Sequence, residues 1–464
     1  MAANAGKKDI EFKTMTEGNP TKIIILFALP ILLGSIFQQL YNIVDTIVVG
    51  QYISADALGA ISATSSSTMF SLALILGATN SITIVMAQYV GAKKEDMIKK
   101  TMVNAVIITL VGSGLMIIMG LTISRPLMLL LKSPDIIIDM SVQYMTIIFV
   151  GGISQLTYNT SASILRALGN SRAPLVVLIF ASILHIFLDL LFVVVFHMGV
   201  AGVATSTVIS QIVSGGICLF YMFRKYPVLR FGMKDFRPDF ALIGWILKIG
   251  IPMGIKSTFL SLGMMVITRV INGFGTSVVA AYGVGTRIEQ LAEMSFSTLS
   301  NAFATYAGQN LGAKQFDRIK VGFRNTFFIT AGLCVLSMVV VQLFTRNIVC
   351  LFVDSAEREI IDIAVTFLRI ESACYIALGT IWHYHAALRG FGDVAVPMVS
   401  SFLELGSKIL VSIFLSAVIG YTGIWFAAPV GWFLGIIPLA VRYHSGRWKK
   451  QAERVDRVEE EECA

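Results

Sequence analysis

The sequence predicts an all-α membrane protein in which twelve transmembrane helices form two pseudo-symmetric six-helix bundles. Three observations lead to this prediction: the composition, a series of apolar stretches long enough to cross a bilayer, and an internal repeat. Of the 464 residues, 56% are hydrophobic and only 14% are charged, which is not the composition of a soluble enzyme. The five cysteines are scattered and lack a C-x-x-C spacing, so they indicate neither a disulfide framework nor a metal site.

The apolar stretches set the number of spans. The first begins at Ile23 and runs for 22 residues without a formal charge, roughly 33 Å of helix. Pro30 lies inside this span, where its missing backbone donor predicts a helix bend. No cleavable signal peptide is expected before it. The predicted spans are 22–50, 56–86, 101–122, 136–164, 173–197, 199–223, 240–271, 277–308, 321–345, 358–387, 395–419 and 421–442.

Lysine and arginine are distributed unequally between the two sides of the membrane. The termini and the even-numbered loops carry 26 of them, whereas the odd-numbered loops carry only four. The positive-inside rule therefore places both termini in the cytoplasm, with the spans in the plasma membrane, the bacterial inner membrane. Because this rule also explains the formal charge of +8, we expect contact with lipid and no nucleic-acid partner. We expect a monomer.

The two halves of the chain repeat each other at an offset of 221–223 residues. The segment 88–99 aligns with 309–320, and 165–174 aligns with 388–397. Six spans in each half make the repeats parallel, an arrangement typical of transporters that rock two bundles around a central substrate. The predicted units are an N-terminal lobe (1–223), a cytoplasmic linker (224–239), a C-terminal lobe (240–445) and a cytoplasmic tail (446–464).

A polar stripe marks one face of the first span. Gln38, Tyr41, Asn42 and Asp45 follow helical spacing, so we expect them to line a water-filled cavity, the first three facing substrate. A charge within a span costs roughly 2.5–3.5 kcal/mol on insertion scales, which favours a functional aspartate that exchanges a cation. The alternative is a buried aspartate whose partner lies on a neighbouring helix.

Four motifs stand out along the chain. They are the first-span segment 38–50, the Gly-Ala-Lys loops at 91–93 and 312–314, the Leu-Arg-x-x-Gly motifs at 165–169 and 388–392, and the segment around Asp189 in the fifth span. Together they resemble the multidrug and toxic compound extrusion (MATE) family over essentially the whole chain. The resemblance leans toward the bacterial branch with the DinF-like and MepA-like members. It implies export of large organic cations, driven by an inward flow of protons or sodium ions.

The resemblance also implies a cation-coupling site in the N-terminal lobe. The family's first-span aspartate is matched by Asp45 and its fifth-span aspartate by Asp189. Its fourth-span tyrosine is matched by Tyr144 and its sixth-span threonine by Thr207. Where the family usually has an asparagine, this chain has His185. Acidic residues that some members carry in the seventh and tenth spans have no visible counterpart here.

Asp45 and Asp189 have no carboxylate counterparts in the C-terminal half, so the repeat predicts a single coupling site. Two carboxylates in a low-dielectric site favour holding one proton or one metal cation between them. His185 stands four residues before Asp189, on the same helix face. Imidazole is a poor sodium ligand and histidine titrates near neutral pH, which favours protons over sodium. No cofactor is expected, and no metal beyond sodium at the two aspartates.

Charged residues also occur within the C-terminal spans. Glu289 and Glu293 are a second candidate acidic site, although a structural network neutralised by Lys256, Arg269 and Arg287 is the favoured interpretation. Glu404 and Lys408 are four residues apart, and we expect them to pair.

The functional prediction is a secondary active multidrug antiporter that works by alternating access. The alternative within the same superfamily is a flippase for a lipid-linked saccharide, which would need a more cationic cavity. The alternative of another class is a membrane-embedded enzyme. It is disfavoured because the only close histidines, His383 and His385, lie on opposite faces of a helix and make a poor metal pair.

Overall fold

A computed structural model of the protein describes residues 14–130 and 133–456. Over these residues the chain is helical and contains no β-strand. The N-terminal half comprises α1 Pro20–Tyr52, α2 Ala55–Gly91, α3 Glu95–Thr122, α4 Ser124–Leu130, α5 Asp135–Val150, α6 Gly152–Ala167, α7 Arg172–Asp189 with a π-helical turn Leu190–Val195, and α8 Gly199–Lys225. The C-terminal half comprises α9 Phe240–Asn272, α10 Thr276–Gly312, α11 Phe316–Val349, α12 Arg358–Ser372, α13 Tyr375–Gly390, α14 Ala395–Ile419, α15 Thr422–Trp425 and α16 Ala427–His444. Short 3-10 helices Pro227–Leu229 and Arg447–Lys450 follow α8 and α16.

These helices lie where the twelve spans were predicted. Within the described residues, eight helical segments are long and apolar enough to cross a membrane, and the bent pair α5–α6 makes a ninth. The other three predicted spans correspond to α2, α10 and the pair α12–α13. The helix α10 has 37 residues, and its N-terminal half carries Glu289 and Glu293, which lower its hydropathy.

The break between α5 and α6 falls at two adjacent glycines. The two helices bend by 49° at this point. A Cβ atom on Gly151 would lie 2.2 Å from the Val208 side chain, and one on Gly152 would lie 2.3 Å from Met116. The glycines therefore allow neighbouring helices to pack against the bend. In α1 the helix is continuous through Pro30, and the bend predicted there stays a prediction.

The internal repeat is visible in the backbone. Lys93 and Lys314, which are equivalent in the repeat, have φ values of 57° and 56°. Gly169 and its equivalent Gly392 have φ values of 79° and 76°. Left-handed conformations at matched positions end the helices of both halves in the same way, as expected for two copies of one fold.

The two halves exchange the beginnings of their first helices. Ile24 and Phe27 of α1 belong to the large hydrophobic cluster built mainly from the C-terminal half. Leu242 and Ile246 of α9 belong to the cluster built mainly from the N-terminal half. Each bundle is thus completed by a helix end from the other, which couples the two halves mechanically.

The two halves meet at the end of the molecule that carries the Gly-Ala-Lys loops and the first and last described residues. We call this end the basic face. A Cβ on Gly91 would lie 1.8 Å from the carbonyl oxygen of Gln309, and a Cβ on Gly312 would lie 1.9 Å from that of Gln88. The Gln88 side chain donates a hydrogen bond to the Gly390 carbonyl at 3.1 Å, across the halves. The basic face is therefore closed by a reciprocal backbone contact.

This contact gives the glycines of the Gly-Ala-Lys loops a packing role. Gly91 and Gly312 are the last residues of α2 and α10. In the structure, the left-handed residues are Lys93 and Lys314, two positions later. The glycines are required because the two helices cross too closely for any side chain.

Candidate functional site

Polar side chains from three helices converge inside the N-terminal bundle. Asp45 comes from α1, His185 and Asp189 from α7, and Ser206 and Thr207 from α8. His185 and Asp189 share one face of α7, and they are 1% and 0% exposed. One ligand atom each from Asp45, His185 and Asp189 lie within 4.8 Å of one another. The structure thus brings together three residues that we selected from the sequence of the first and fifth spans.

His185 is the centre of this cluster. Its Nε2 lies 3.2 Å from the Tyr41 hydroxyl, 3.0 Å from Thr207 Oγ1 and 3.3 Å from Ser206 Oγ. The Tyr41 ring also meets the imidazole edge-on, with ring centroids 4.4 Å apart. Nε2 can exchange a hydrogen bond with one of these hydroxyls at a time, as donor or as acceptor according to which ring nitrogen carries the proton.

Three atoms at the centre of the cluster lack a hydrogen-bond partner among the described residues. They are Asp45 Oδ1, Asp189 Oδ2 and His185 Nδ1, all buried. His185 Nδ1 lies 3.1 Å from Asp189 Oδ2, but the two are not aligned as a hydrogen bond. Buried polar atoms in folded proteins are rarely left unpaired. The geometry therefore suits a small cation, either a proton shared by the carboxylates or a metal ion between them.

The donor set can be tested against sodium. Two carboxylates and the hydroxyls of Ser206 and Thr207 supply the oxygen ligands that hard cations prefer. Ser206 already donates a hydrogen bond to Asp189 Oδ1, which leaves Oδ2 facing the centre. The imidazole replaces an oxygen ligand with a nitrogen, which fits sodium poorly. The donor set therefore leaves both ions open, and the preference for protons stays a prediction.

Tyr144 borders the same site. It lies on α5 and packs against the small hydrophobic cluster that contains Val48, Val193 and Val203. It lies close enough to Asp45 and Asp189 for their charges to act on its hydroxyl. The role in the coupling site that the resemblance implies for Tyr144 stays a prediction.

The polar stripe of α1 is divided. Tyr41 and Asp45 turn into the cation cluster, whereas Gln38 and Asn42 are exposed on the helix surface. Asn42 Nδ2 donates to Gln39 Oε1 at 3.3 Å, on the same helix. The three residues expected to face substrate therefore do not share one environment.

A second polar region lies in the C-terminal half. It is a cavity of about 710 Å³ bordered by α9, α10, the pair α12–α13 and α14–α16, with Gly77 and Asn80 of α2 at its edge. Four carboxylates line it, together with three cationic side chains and several aromatic rings. The carboxylates are Glu289, Glu293, Glu371 and Glu404; the cations are Lys256, Arg389 and Lys408; the rings include Tyr282, Phe367, Trp382 and Trp432.

The partners of the C-terminal carboxylates differ from those expected. Lys408 Nζ lies 2.8 Å from Glu404 Oε1, which confirms that predicted pair. Arg269 and Arg287 are exposed and do not line the cavity, so the prediction that they neutralise Glu289 and Glu293 is wrong. They lie on other faces of α9 and α10.

The structure also reveals residues that sequence reasoning missed. Glu289 interacts with Lys408 and with Glu371 of α12, a carboxylate on a different helix. Glu371 is 4% exposed, and one of its oxygens has no hydrogen-bond partner within the described parts of the chain. A lone carboxylate inside a span was the only available signal for Glu371. Ser206 was recognisable only as the neighbour of Thr207.

Comparison with known proteins identifies the class of molecule as a multi-pass membrane transporter. The family model described as MatE matches residues 30–191 and 252–414, one match in each half of the chain. The chain therefore belongs to the MatE family, the multidrug and toxic compound extrusion transporters. It follows that the chain is a transporter and not an enzyme.

Curated relatives carry matching names. The chain is 28% identical over 438 residues to the probable multidrug resistance protein YpnP of Bacillus subtilis, covering 94% of this chain and 97% of that protein. It is 23% identical to the probable multidrug resistance protein NorM of Thermotoga maritima, covering 93% and 94% of the two chains. It is also 23% identical to the multidrug export protein MepA of Staphylococcus haemolyticus, covering 90% and 92%.

Solved structures support the fold. A crystal structure of a MATE transporter described in the bent conformation superposes with a TM-score of 0.85 at 19% identity, covering 97% of this chain and 98% of that one. A MATE family transporter described in an outward-facing conformation also gives a TM-score of 0.85, at 20% identity, covering 96% and 98% of the two chains. The fold is accordingly the all-α, twelve-span arrangement in two six-helix bundles.

Proposed function

We propose that this transporter is a secondary active antiporter that exports organic cations in exchange for protons by alternating access. The observation that carries the proposal is the convergence of three buried, unpartnered atoms of Asp45, His185 and Asp189. A proton bound at this site gives these atoms a hydrogen-bond partner, which they lose when the proton is released. If loading occurs from one side and release on the other, ion flow biases the two conformations.

Protons are favoured over sodium because of His185. Its Nδ1 faces the shared carboxylate region, so a nitrogen occupies the position where a sodium ion would need oxygen. Sodium remains the alternative coupling ion, held by Asp45 and Asp189 with the hydroxyls of Ser206 and Thr207.

The C-terminal cavity is the proposed substrate region. Aromatic rings attract cations through their faces, and carboxylates supply complementary charge. Glu289, Glu293 and Glu371 are therefore proposed to contact the cationic part of a substrate rather than the coupling ion. Lys256, Arg389 and Lys408 in the same cavity favour a second candidate, a flippase for an anionic lipid-linked saccharide.

The orientation follows from the charge distribution. We propose that the basic face lies in the cytoplasm of a bacterial cell and that the cavity opens to the outside in this conformation. The proposed units remain 1–223, 224–239, 240–445 and 446–464, working as a monomer in the inner membrane.

A transport assay with inverted membrane vesicles tests the proposal. Vesicles with an acidic lumen should accumulate ethidium, whereas vesicles loaded with sodium at equal pH on both sides should accumulate little. Accumulation driven equally well by sodium would overturn the proton preference. If neither gradient drives ethidium but a fluorescent lipid-linked sugar is moved to the luminal leaflet of the vesicles, the flippase replaces the antiporter.

A further inference from the structure

The chain beyond the last span crosses the basic face and reaches both halves of the molecule. It leaves α16 at His444, forms the 3-10 helix Arg447–Lys450 and continues as a helical segment over 451–456. We call residues 447–456 the C-terminal clasp. None of the transport chemistry proposed above uses this segment.

The first part of the clasp is fixed to the C-terminal half. Trp448 is 2% exposed and stacks on Phe391, with ring centroids 4.2 Å apart and planes 15° apart. Its indole Nε1 donates a hydrogen bond to the Tyr443 carbonyl at 3.0 Å. A buried, stacked and hydrogen-bonded tryptophan is a stable anchor.

The last part of the clasp is fixed to the N-terminal half. Val455 is 1% exposed and belongs to the hydrophobic cluster that contains Met97 and Ile98 of α3. Lys94, at the start of α3, donates from Nζ to the Val455 carbonyl at 3.4 Å. The clasp therefore connects the cores of the two bundles over about ten residues.

One carboxylate at the end of the clasp binds a lysine from each half. Asp456 Oδ1 lies 2.9 Å from Lys94 Nζ, and Asp456 Oδ2 lies 2.9 Å from Lys314 Nζ. Lys314 belongs to the Gly-Ala-Lys loop of the C-terminal half, whereas Lys94 follows the equivalent loop of the N-terminal half. Both ion pairs can exist together only while the two loops are adjacent.

We propose that the C-terminal clasp holds the basic face closed and that Asp456 sets the balance between the closed and open states of that face. The proposal rests on the alternating access proposed above. When the bundles rock apart, Lys94 and Lys314 separate, so Asp456 keeps at most one of them. The closed state is then favoured by the interactions that opening removes.

The clasp does not depend on pH in the physiological range. Hydrogen bonds from Lys314 and Lys94 hold the pKa of the Asp456 carboxyl below its ordinary value. A group with a lowered pKa contributes its stabilisation above its ordinary pKa and loses it only as the pH falls through the lowered value. Around neutral pH the carboxylate is therefore ionised and both pairs persist.

Distances between spin labels on the two halves test the proposal. Asp96 and Asp317 are exposed, equivalent in the repeat, and lie in the first turns of α3 and α11. Both are replaced by cysteine and labelled in a background without the native cysteines Cys218, Cys334, Cys350, Cys374 and Cys463. Pulsed electron paramagnetic resonance then measures the distances between the two labels at neutral pH, without substrate or gradient, in detergent and in lipid. Short distances report the closed basic face and long distances the open one.

Three changes are compared with a matched control. Asp456→Asn removes the charge, Asp456→Glu keeps it, and a stop codon at position 455 removes residues 455–464, Val455 and Asp456 among them, but retains the Trp448 anchor. The control is Asp235→Asn, because Asp235 pairs with Lys99 at 2.8 Å near the same face without joining the two bundles.

We expect Asp456→Asn to raise the ratio of long to short distances by roughly threefold, the size expected for losing exposed ion pairs. The stop codon should raise it further, whereas Asp456→Glu and Asp235→Asn should leave it near the wild-type value. Unchanged distances in both Asp456→Asn and the truncated chain would overturn the clasp. Because this readout involves neither substrate nor ion gradient, failure of the antiport proposal would appear separately, in the vesicle assay.

Discussion

The hydroxyl of Tyr41 lies 3.2 Å from Nε2 of His185, which joins the polar stripe of the first span to the paired carboxylates behind it. The contact gives His185 a hydroxyl partner on α1 in addition to those on α8. A movement of α1 relative to α7 would therefore change the environment of the histidine, and with it the cation site.

Replacing Tyr41 by phenylalanine should weaken coupling without removing it. The ring contact with His185 is retained, but the hydroxyl is lost, and a hydrogen bond of this kind contributes about 0.5–1.5 kcal/mol. We expect a roughly two- to tenfold lower initial rate of proton-driven ethidium transport. Tyr52→Phe, at an exposed position of the same helix, is the control and should transport normally. Equal rates for the two variants would argue against a role for the Tyr41 hydroxyl.

The identity of residue 185 should influence the choice of ion. His185→Asn places an amide oxygen near Asp189 and restores the residue usual in the family that the sequence resembles. We expect this variant to gain sodium-driven transport and to lose part of its proton-driven transport, because an oxygen ligand suits sodium better than imidazole nitrogen. The measurement is the ratio of the two rates in vesicles of the same preparation. A ratio equal to that of the wild type would contradict the proposed role of His185.

Closing of the basic face should depend on Gly91. The Cβ atom of an alanine at position 91 would lie 1.8 Å from the Gln309 carbonyl oxygen. This distance is impossible unless α2 and α10 separate. We expect Gly91→Ala to reduce transport more than tenfold while the protein still reaches the membrane, and Gly312→Ala to behave alike. Gly114→Ala is the control, because no described atom lies within 4 Å of that Cβ. Normal transport by Gly91→Ala would mean that the close crossing is not needed for the cycle.

The contact at Gly91 also shows where prediction from the sequence stops. Hydrophobic stretches, charge asymmetry and the repeat suffice for the spans and the two-bundle architecture, because each is a property of a continuous segment. The closeness of Gly91 to Gln309 joins positions more than two hundred residues apart. Local patterns carry no information on such a distance.

The cation cluster could be predicted from the sequence for a different reason. His185 and Asp189 are one turn apart, so their shared face follows from helix geometry alone. Asp45 was connected to them through the family resemblance and not by periodicity. Glu371 had neither advantage, since its neighbours Glu289 and Lys408 come from helices whose relative rotation only the structure defines.

The pair Glu404–Lys408 should stabilise the C-terminal bundle. Their side chains are only 14% and 18% exposed, and breaking a buried pair by removing one partner costs about 3–5 kcal/mol. We expect Lys408→Met to lower the Tm clearly, and the double variant Glu404→Gln/Lys408→Met to recover part of the loss because Glu404 is then no longer left as an unpaired charge. Lys320→Met, which breaks the exposed pair with Asp317, is the control and should change the Tm little. A double variant less stable than Lys408→Met would contradict this interpretation.

The most direct test of the coupling site is the response of Asp45→Asn to an imposed pH gradient. The substitution keeps the size of the side chain but removes one of the two carboxylates that define the site. Its control is Asp139→Asn, which removes an exposed carboxylate paired with Arg125 at 3.2 Å, away from the cluster. Ethidium transport by the two variants and the wild type is compared in inverted vesicles with an acidic lumen.

Proton coupling at this site predicts that Asp45→Asn loses gradient-driven transport and still binds ethidium, whereas Asp139→Asn transports like the wild type. Undiminished gradient-driven transport by Asp45→Asn would contradict the account and move the coupling to the carboxylates of the C-terminal cavity.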